Sequence, residues 1–386
     1  MNRRRFLACA SCASLLQVAS LAQAASGDGW QVPARIPRPD TASDEGGLWA
    51  LMDREEQKLR RSPFRIQDQQ LQSYLQDIAC RLGGEHCPDT RVYLVHTPLF
   101  NANMAPNGMM QIWSGLMLRA DNEAQLAAVL GHEIGHYVAR HSVERLRDIK
   151  SRSAVGQFMG LFGLVGAVGR FATFAGSFAY SRDHERIADR IGLELMSKAG
   201  YDPAEAATVW ENLLMELRAK PGGDPTKSNP LFATHPPAEE RRETLMRLAE
   251  TQPGGVTNEV TWQQKVAPYR REWLADEVRR GQHEESIALL TRKIMRSPQV
   301  SDYLFTRAEV YRSRAKNADF DDAIRDYQAA SATGNEPSET HRGLGLIYRA
   351  RKQIAEARAS FERYLELAPE APDALMIKSY VEEMKT

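Results

Sequence analysis

Two histidines four residues apart constrain this chain more than any other feature of its sequence. His132, Glu133 and His136 form the pattern H-E-x-x-H, and the residues before it are strong helix formers with apolar side chains at helical spacing. On a helix, positions i and i+4 lie on one face, one turn apart, so both imidazoles can bind the same metal ion. Glu133 could then act as general base toward water at a zinc ion. The alternative is a core helix that carries two histidines by chance.

The motif helix is predicted to run over residues 122–147, with Asp121 or Asn122 as its N-cap. A continuous helix would point His141 away from the ligand face, because His141 lies five residues beyond His136. We therefore expect a structural role for His141, and the pattern assigns no role to His184.

A catalytic zinc ion needs a third protein ligand, and a second predicted helix over residues 180–199 supplies a candidate. Glu185 lies near the start of this helix and Asp189 follows one turn later, so the two share a face. In this interpretation Glu185 binds the metal, and Asp189 accepts the outer N–H of a ligand histidine and so fixes that ring's tautomer. An exposed helix charge is the alternative for Glu185.

Composition excludes one class of partner. The 386 residues are enough for two or three domains and a sizeable core. The 50 basic and 50 acidic side chains give a formal net charge of zero. There is therefore no electrostatic basis for binding nucleic acid.

Residues 1–24 have the pattern of a signal peptide. Arginines at positions 3–5 precede an apolar stretch over residues 6–21, and Ala22-Gln23-Ala24 is a small-x-small cleavage site. We expect cleavage after Ala24 and export to a bacterial periplasm, and the arginine run also resembles the twin-arginine export consensus. A transmembrane anchor is the alternative. Residues 25–47 are rich in Pro, Gly, Asp and Ser and are predicted to form an irregular arm.

Cys80 and Cys87 are the cysteines that remain beyond the predicted signal peptide. An oxidising compartment favours a disulfide across the glycine-containing loop between them. The alternative, a metal site with two cysteine ligands, lacks further ligands nearby.

Residues 153–180 are apolar and rich in glycine, with one interruption at Arg170. Three interpretations stay open: a loop or helix that covers the cleft beside the motif, a peripheral membrane contact, and a membrane span. The uncharged stretch 153–169 is short for a span.

The sequence predicts a mainly α-helical fold, with one domain over residues 48–255 that contains the H-E-x-x-H motif and a small β-sheet. Strands are predicted at residues 91–96 and 109–113, from β-branched and aromatic residues beside a turn signal. The second strand either pairs with an extended substrate as an edge strand or is an ordinary internal strand.

Residues 260–386 are predicted to form tetratricopeptide repeats. The spacing of small and aromatic residues fits one clear repeat, at Gly345, Tyr348, Ala357, Phe361 and Pro369, and weaker copies precede it. Small residues let paired helices approach, and stacked repeats form a surface suited to peptide or protein partners. A plain helical bundle is the alternative.

The sequence Glu185-Arg-Ile-Ala-Asp189, downstream of H-E-x-x-H, resembles the paired motifs of the gluzincin peptidases that include HtpX, Oma and the CAAX prenyl endopeptidases. Thr234-His235-Pro236, followed by Arg241, is a further match. With the signal peptide and the repeats, the resemblance is closest to the periplasmic BepA-like type of protease and chaperone.

The resemblance implies that residues 48–255 form a zincin-like metallopeptidase domain that carries out metal-assisted peptide hydrolysis at one zinc ion. That ion would be held by His132, His136 and Glu185, and Glu133 would be the catalytic base. His235 would either assist the oxyanion or occupy the open metal position and hold the enzyme off. A solvent-facing histidine at a helix start is the alternative for His235.

The function that the resemblance implies is that of an exported zinc endopeptidase acting on misfolded or stalled envelope proteins, in outer-membrane protein assembly and quality control. The implied partners are unfolded or misassembled envelope polypeptides and, through the repeats, the outer-membrane assembly machinery. The alternative is a periplasmic chaperone or assembly scaffold that acts through the repeats. A membrane-embedded prenyl-type protease would need several spans, and residues 153–180 offer at most one.

Overall fold

The computed structural model of the chain describes residues 33–151, 180–222, 231, 235, 239–297, 300–316 and 318–384. The chain divides into a first unit, Met1–Pro37, of which residues 33–37 are described and irregular, and a compact unit, Arg38–Thr386. The predicted signal peptide and residues 153–179 of the glycine-rich segment lie outside the described residues. Within the described ranges, no helix combines the length and apolar character that a membrane crossing requires.

Helices dominate the described part of the second unit. They are α1 (Asp44–Arg60), α2 (Gln69–Gly83), α3 (Ser114–Arg119), α4 (Glu123–Val138), α5 (His141–Ser151), α6 (Arg182–Lys198), α7 (Ala204–Arg218), α8 (Glu239–Ala249), α9 (Glu259–Val266), α10 (Arg270–Arg280), α11 (His283–Arg296), α12 (Ser301–Arg314), α13 (Asp319–Ser331), α14 (Glu339–Ala350), α15 (Ile354–Leu367) and α16 (Ala374–Glu383). Helix α1 begins at Asp44, within the predicted irregular arm of residues 25–47, because Ser43 caps it by accepting a hydrogen bond from the Gly46 N–H.

The sheet has three strands in the described residues, β1 (Arg91–Val95), β2 (Ala102–Met104) and β3 (Met109–Trp113), in the order β1–β3–β2. Strand β3 pairs in parallel with β1 and antiparallel with β2, and each of its residues is buried. The expectation that β3 could be an edge strand is therefore wrong, because both of its sides are already paired. Strands β1 and β2 are the two edges.

The predicted motif helix is two helices. Asn122 caps α4, accepting from the Gln125 N–H, but the helix ends at Val138 and α5 starts at His141. Arg140 between them has φ = 60°, a left-handed conformation that ends a right-handed helix. Its side chain pairs with Glu45 of α1. The break changes the direction of the chain immediately after the second motif histidine.

Helices α4 and α6 touch backbone to backbone. A Cβ atom added at Gly135 would lie 2.8 Å from the Ala188 carbonyl oxygen, and one added at Gly192 would lie 2.9 Å from the His132 nitrogen. Larger residues at these contacts would push the helices apart. The close crossing brings the start of α6, with Glu185, next to the motif histidines.

A disulfide joins Cys80 at the end of α2 to Cys87. The loop that it closes carries His86, whose buried ring meets the Tyr137 ring of α4 edge-on, with centroids 5.7 Å apart. The disulfide therefore fixes a loop that supports the motif helix.

The C-terminal helices α12 to α15 pack as antiparallel pairs. Ala308 and Ala323 are fully buried between paired helices, as are the rings of Tyr327 and Phe361. A Cβ atom at Gly345 would lie 2.4 Å from the Phe361 ring, so the glycine makes room for the aromatic side chain. This arrangement confirms the predicted fold class, a mainly α-helical protein with a small sheet followed by helical repeats.

Buried charges join the C-terminal helices to the rest of the unit, at a cluster that we call the junction. Arg119 of α3 donates to Glu216 of α7 at 2.8 Å and to Glu277 of α10 at 3.0 Å. Asp121 accepts hydrogen bonds from Arg292 at 2.5 Å and from Lys293 at 2.8 Å, both on α11. The junction consists of these six residues: Arg119, Asp121, Glu216, Glu277, Arg292 and Lys293.

Candidate metal centre

Helix α4 places both motif histidines on one face. The Nε2 atoms of His132 and His136 are 3.1 Å apart, with ring planes at 85° to each other. Both rings and the Glu133 side chain are buried. Two imidazole nitrogens this close, pointing at the same space, are an arrangement that a metal ion can use.

Glu185 comes from the first turn of α6, which Ser181 caps by accepting from the His184 N–H. Its Oε1 lies 3.3 Å from His136 Nε2 and its Oε2 lies 3.5 Å from His132 Nε2. The structure therefore brings Glu185 to the motif histidines and does not leave it as an exposed helix charge.

His235 lies inside the same cluster. Its Nδ1 is 3.0 Å from Glu185 Oε1 and 3.2 Å from His132 Nε2, and its Nε2 is 3.5 Å from Glu133 Oε1. The side chain is only 3% exposed. The solvent-facing alternative for His235 is therefore wrong.

The cluster fits a tetrahedral cation. Its possible ligand atoms, from His132, His136, Glu185 and His235, all lie within 4.8 Å of one another. Ligand atoms about 2.05 Å from a tetrahedral zinc ion would be about 3.3 Å apart, and the two motif nitrogens are 3.1 Å apart. The buried Glu133 Oε1 has no hydrogen-bond partner among the described residues, whereas Glu185 Oε2 forms an ion pair with Arg241 at 3.0 Å. Buried polar atoms normally have partners, so Glu133 Oε1 is consistent with a bound ion or water at this site.

A buried ion-pair network supports the candidate ligand His132. Asp189 Oδ1 lies 2.8 Å from His132 Nδ1, and Arg241 donates to both Asp189 oxygens at 2.7 Å. The Arg241 guanidinium also lies 3.0 Å from Glu185 Oε2 and 4.0 Å above the Trp210 ring. Asp189 can therefore accept the His132 Nδ1–H and leave Nε2 free for a metal.

His141 was expected to point away from the ligands, and this expectation is wrong. Its Nδ1 is 2.8 Å from His136 Nδ1, because the chain turns at Arg140. Burial lowers the pKa of His141 to about 3, so the ring is neutral near pH 7. His184 stacks on His141 at 4.3 Å and its Nε2 lies 3.2 Å from Glu144.

Tyr180 was not predicted at the site. Its ring stacks on His136 with centroids 3.8 Å apart and planes at 17°, and its hydroxyl lies 3.0 Å from Ser142 Oγ. No periodic signal identifies it, since it precedes α6. Its position directly before the capping residue Ser181 is the one local hint.

The two carboxylates beside the histidines differ in basicity. Burial raises the pKa of Glu133, and this effect outweighs the neighbouring His235 and His132, which lower that pKa. Burial also pushes the pKa of Glu185 up, but His235 and Arg241 outweigh it and hold that pKa well below its ordinary value. Divergent pKa values of neighbouring carboxylates are typical of an acid–base pair with distinct roles. Glu133 suits proton transfer, and Glu185 suits permanent negative charge.

His235, which faces both carboxylates, also has a shifted pKa. Burial lowers the pKa of His235, but Glu185 and Glu133 outweigh it, so the net pKa is raised. The positive charge that this favours matches the place a metal cation would take among the same carboxylates.

Comparison with known proteins agrees with the geometry. Residues 65–249 match the model of Peptidase family M48, and residues 338–371 match the tetratricopeptide repeat. The mitochondrial metalloendopeptidase OMA1 of Arabidopsis thaliana is 34% identical over 154 residues, which are 40% of this chain and 30% of that protein.

Two bacterial relatives cover more of the chain. The beta-barrel assembly-enhancing protease of Escherichia coli (strain K12) is 29% identical over 201 residues, 48% of this chain and 40% of that protein. The protein of the same name from Yersinia pestis is 27% identical over 232 residues, 54% of this chain and 46% of that protein. The matched regions span less than half the length of each of these relatives.

The resemblance drawn from the paired motifs is therefore confirmed: residues 65–249 of this chain match peptidase family M48, and a match to the tetratricopeptide repeat follows them.

Proposed function

We propose that this chain is a zinc-dependent endopeptidase that hydrolyses misfolded or stalled envelope proteins. One observation carries the proposal: Glu133 lies, buried, beside a cluster in which His132, His136 and Glu185 bring their ligand atoms together. Two histidines and a carboxylate are a common ligand set of zinc peptidases. The family match and the names of the relatives support the same activity.

The side chains divide the chemistry between them. Zinc, when bound by His132, His136 and Glu185, would polarise a substrate carbonyl and lower the pKa of a water molecule. Glu133 would accept the proton that this water gives up, which its raised pKa favours, and would then deliver it to the leaving amine. Asp189 holds His132 in the tautomer that leaves Nε2 available.

Substrate would bind in an extended conformation along β2. The other edge of β2 has no strand partner among the described residues, and β2 packs beside α4. An extended polypeptide could pair with this edge through backbone hydrogen bonds. Unfolded chains offer such segments and folded domains do not, which suits a protease that removes misfolded proteins.

His235 would hold the enzyme in a resting state by taking the fourth metal position. Its Nδ1 faces Glu185 Oε1 and its Nε2 faces Glu133, so it occupies the space where substrate and water must enter. The variant His235→Ala should therefore raise proteolysis of an unfolded substrate several-fold. Unchanged proteolysis with unchanged zinc content would contradict the gate, and reduced proteolysis would instead favour a role at the oxyanion.

The proposed setting is the bacterial periplasm, reached through the predicted signal peptide at residues 1–24. The names of the bacterial relatives refer to beta-barrel assembly, which supports a role at the outer membrane. The helical repeats would recruit clients or the assembly machinery. A fluorescent fusion that stays in the cytoplasm, with the predicted signal peptide uncleaved, would contradict this setting.

The proposal is tested by digestion of casein with the full chain, comparing wild type with Glu133→Gln. We expect the rate to fall about 10²–10⁴-fold with zinc content unchanged, because only the proton carrier is lost. The matched control is Glu211→Gln on α7, where the half-exposed carboxylate pairs with Arg242. Full activity of Glu133→Gln would rule out this mechanism.

A scaffold function is the second candidate, and the confirmed repeat favours it. Repeat surfaces bind peptides without catalysis. If Glu133→Gln is proteolytically inactive yet fully relieves envelope stress in a strain lacking the protein, the repeats carry the function. Loss of that relief supports the peptidase.

A further inference from the structure

We propose that His141 is a positioning residue of the metal centre: its Nδ1 accepts the outer N–H of His136 and so fixes the tautomer and the orientation of that ligand. The inference rests on the zinc binding proposed above. It adds a residue that neither the spacing of the motif nor the ligand set contains.

The contact between the His136 and His141 rings determines which ring nitrogen of each carries the proton. If His136 binds a metal through Nε2, its proton is on Nδ1 and must be donated. The atom opposite, at 2.8 Å, is His141 Nδ1, and both rings are buried away from water. His141 therefore accepts through Nδ1 and carries its own proton on Nε2. The imidazole of His141 does for His136 what the Asp189 carboxylate does for His132.

The helix break makes this contact possible. In a continuous helix, a residue five positions on is rotated by about 140° around the axis. The left-handed Arg140 stops the helix and turns the backbone, so that His141 returns to the ring of His136. Glu45 of α1 holds the Arg140 side chain in place. A non-glycine residue in this conformation costs about 1 kcal/mol or more, so a compensating contact is expected.

Aromatic rings fix the two histidines from the side. Tyr180 stacks on the face of His136, and its hydroxyl meets Ser142 of α5. His184 stacks on His141 with centroids 4.3 Å apart and planes at 18°. The ring of His136 is thus held by a hydrogen bond at its edge and by a ring on its face. Such support is what keeps a ligand in a productive geometry.

The test compares zinc affinity across three substitutions of His141 in the full chain. In His141→Asn the amide oxygen can take the position of Nδ1, whereas in His141→Gln it lies one carbon further out. His141→Leu has no acceptor. Affinity is measured by competition with a chromophoric chelator, and ligand geometry by the visible spectrum of cobalt-loaded protein. The matched control is His86→Leu, a buried histidine that packs on Tyr137 of the same helix.

We expect zinc affinity to fall about 10–100-fold in His141→Leu and His141→Gln, with an altered cobalt spectrum, and to stay near the wild-type value in His141→Asn. His86→Leu should lower thermal stability but leave the zinc affinity of the folded protein unchanged. Wild-type affinity and spectrum in His141→Leu would overturn the proposal. If that variant does not fold, equal affinities of His141→Asn and His141→Gln would overturn it. A wild-type chain that binds no zinc would instead overturn the proposed function itself.

Discussion

The metal centre and the junction both bury charged side chains, but they differ in how fully those side chains are paired. At the junction, Arg119 donates from all three guanidinium nitrogens, and Glu277 also accepts from Arg280 and Ser286. At the metal centre, Glu133 Oε1 is buried without a hydrogen-bond partner among the described residues. At the junction all six carboxylate oxygens of Asp121, Glu216 and Glu277 accept hydrogen bonds, although Arg292 Nε has no hydrogen-bond partner among the described residues. The two sites therefore differ in the pairing of their carboxylates.

This difference separates a structural site from a functional one. A buried ion pair whose members are saturated holds two elements in register and has no capacity left for a ligand. Buried acceptors and lone pairs that face each other are costly unless a cation or water joins them. The degree of pairing, and not the amount of buried charge, identifies the site.

The largest expected effect comes from breaking the junction with Arg119→Met. This change removes the buried cation that Glu216 and Glu277 share and leaves Arg292 and Arg280 as their basic partners. It should lower the free energy of unfolding by about 3–5 kcal/mol. Urea denaturation measures the change. Arg363→Met, which removes a half-exposed surface pair with Glu366, should cost less than about 1 kcal/mol. Equal effects of the two substitutions would contradict the role of the junction.

The second-largest expected effect is the gain in stability when zinc binds at the metal centre. Zinc at about 1,000 times its dissociation constant should raise the free energy of unfolding by about 4 kcal/mol, because only the folded chain presents the ligands together. The same denaturation curves, with zinc and with a chelator, show this difference. In His136→Ala the two curves should coincide, and a wild-type chain that behaves like His136→Ala would argue against a metal centre.

The helix crossing that assembles the metal centre should tolerate no added volume. Gly135→Ala places a methyl group 2.8 Å from the Ala188 carbonyl oxygen, so α6 must move. We expect a loss of about 1–3 kcal/mol in unfolding free energy, together with weaker zinc binding as Glu185 shifts. In contrast, Gly47→Ala on α1 meets no atom within 4 Å and should be neutral or stabilising. Unchanged zinc affinity in Gly135→Ala would show that the crossing does not set the ligand distances.

The smallest expected effect is the acid sensitivity of the junction. Burial pushes the pKa of Asp121 up, but Lys293 and Arg292 outweigh it and lower that pKa to about 2 from an ordinary value of 3.8. A carboxyl group with a lowered folded-state pKa stabilises the protein above its unfolded pKa and loses this contribution as pH falls. Metal-free protein should therefore lose about 2 kcal/mol from this group between pH 4 and pH 2. Asp121→Asn should lack this component, and identical acid curves would contradict the assignment.

The features that can be predicted from the sequence are those that local helix geometry determines. Residues four apart on a helix share a face whatever the tertiary structure, so the pairs His132 with His136 and Glu185 with Asp189 were read directly from spacing. The repeats were also predictable, since alanines and aromatics at fixed positions such as Ala357 and Phe361 report helix pairing.

The features that the sequence does not predict depend on contacts between distant segments of the chain. The turn at Arg140 is supported by Glu45 from α1, and nothing in the local sequence marks it. The central position of β3 follows from its pairing on both sides, which alternation along one strand cannot reveal. Arg119 and Lys293 resemble surface charges in the sequence, because their partners lie far along the chain.

The most direct test of the account is the zinc content of the full chain after dialysis, measured for wild type, Glu133→Gln and His136→Ala. The account predicts about one ion per chain in the first two proteins and almost none in the third, since Glu133 carries protons and His136 binds the metal. Equal zinc content in wild type and His136→Ala, or none in either, would contradict it.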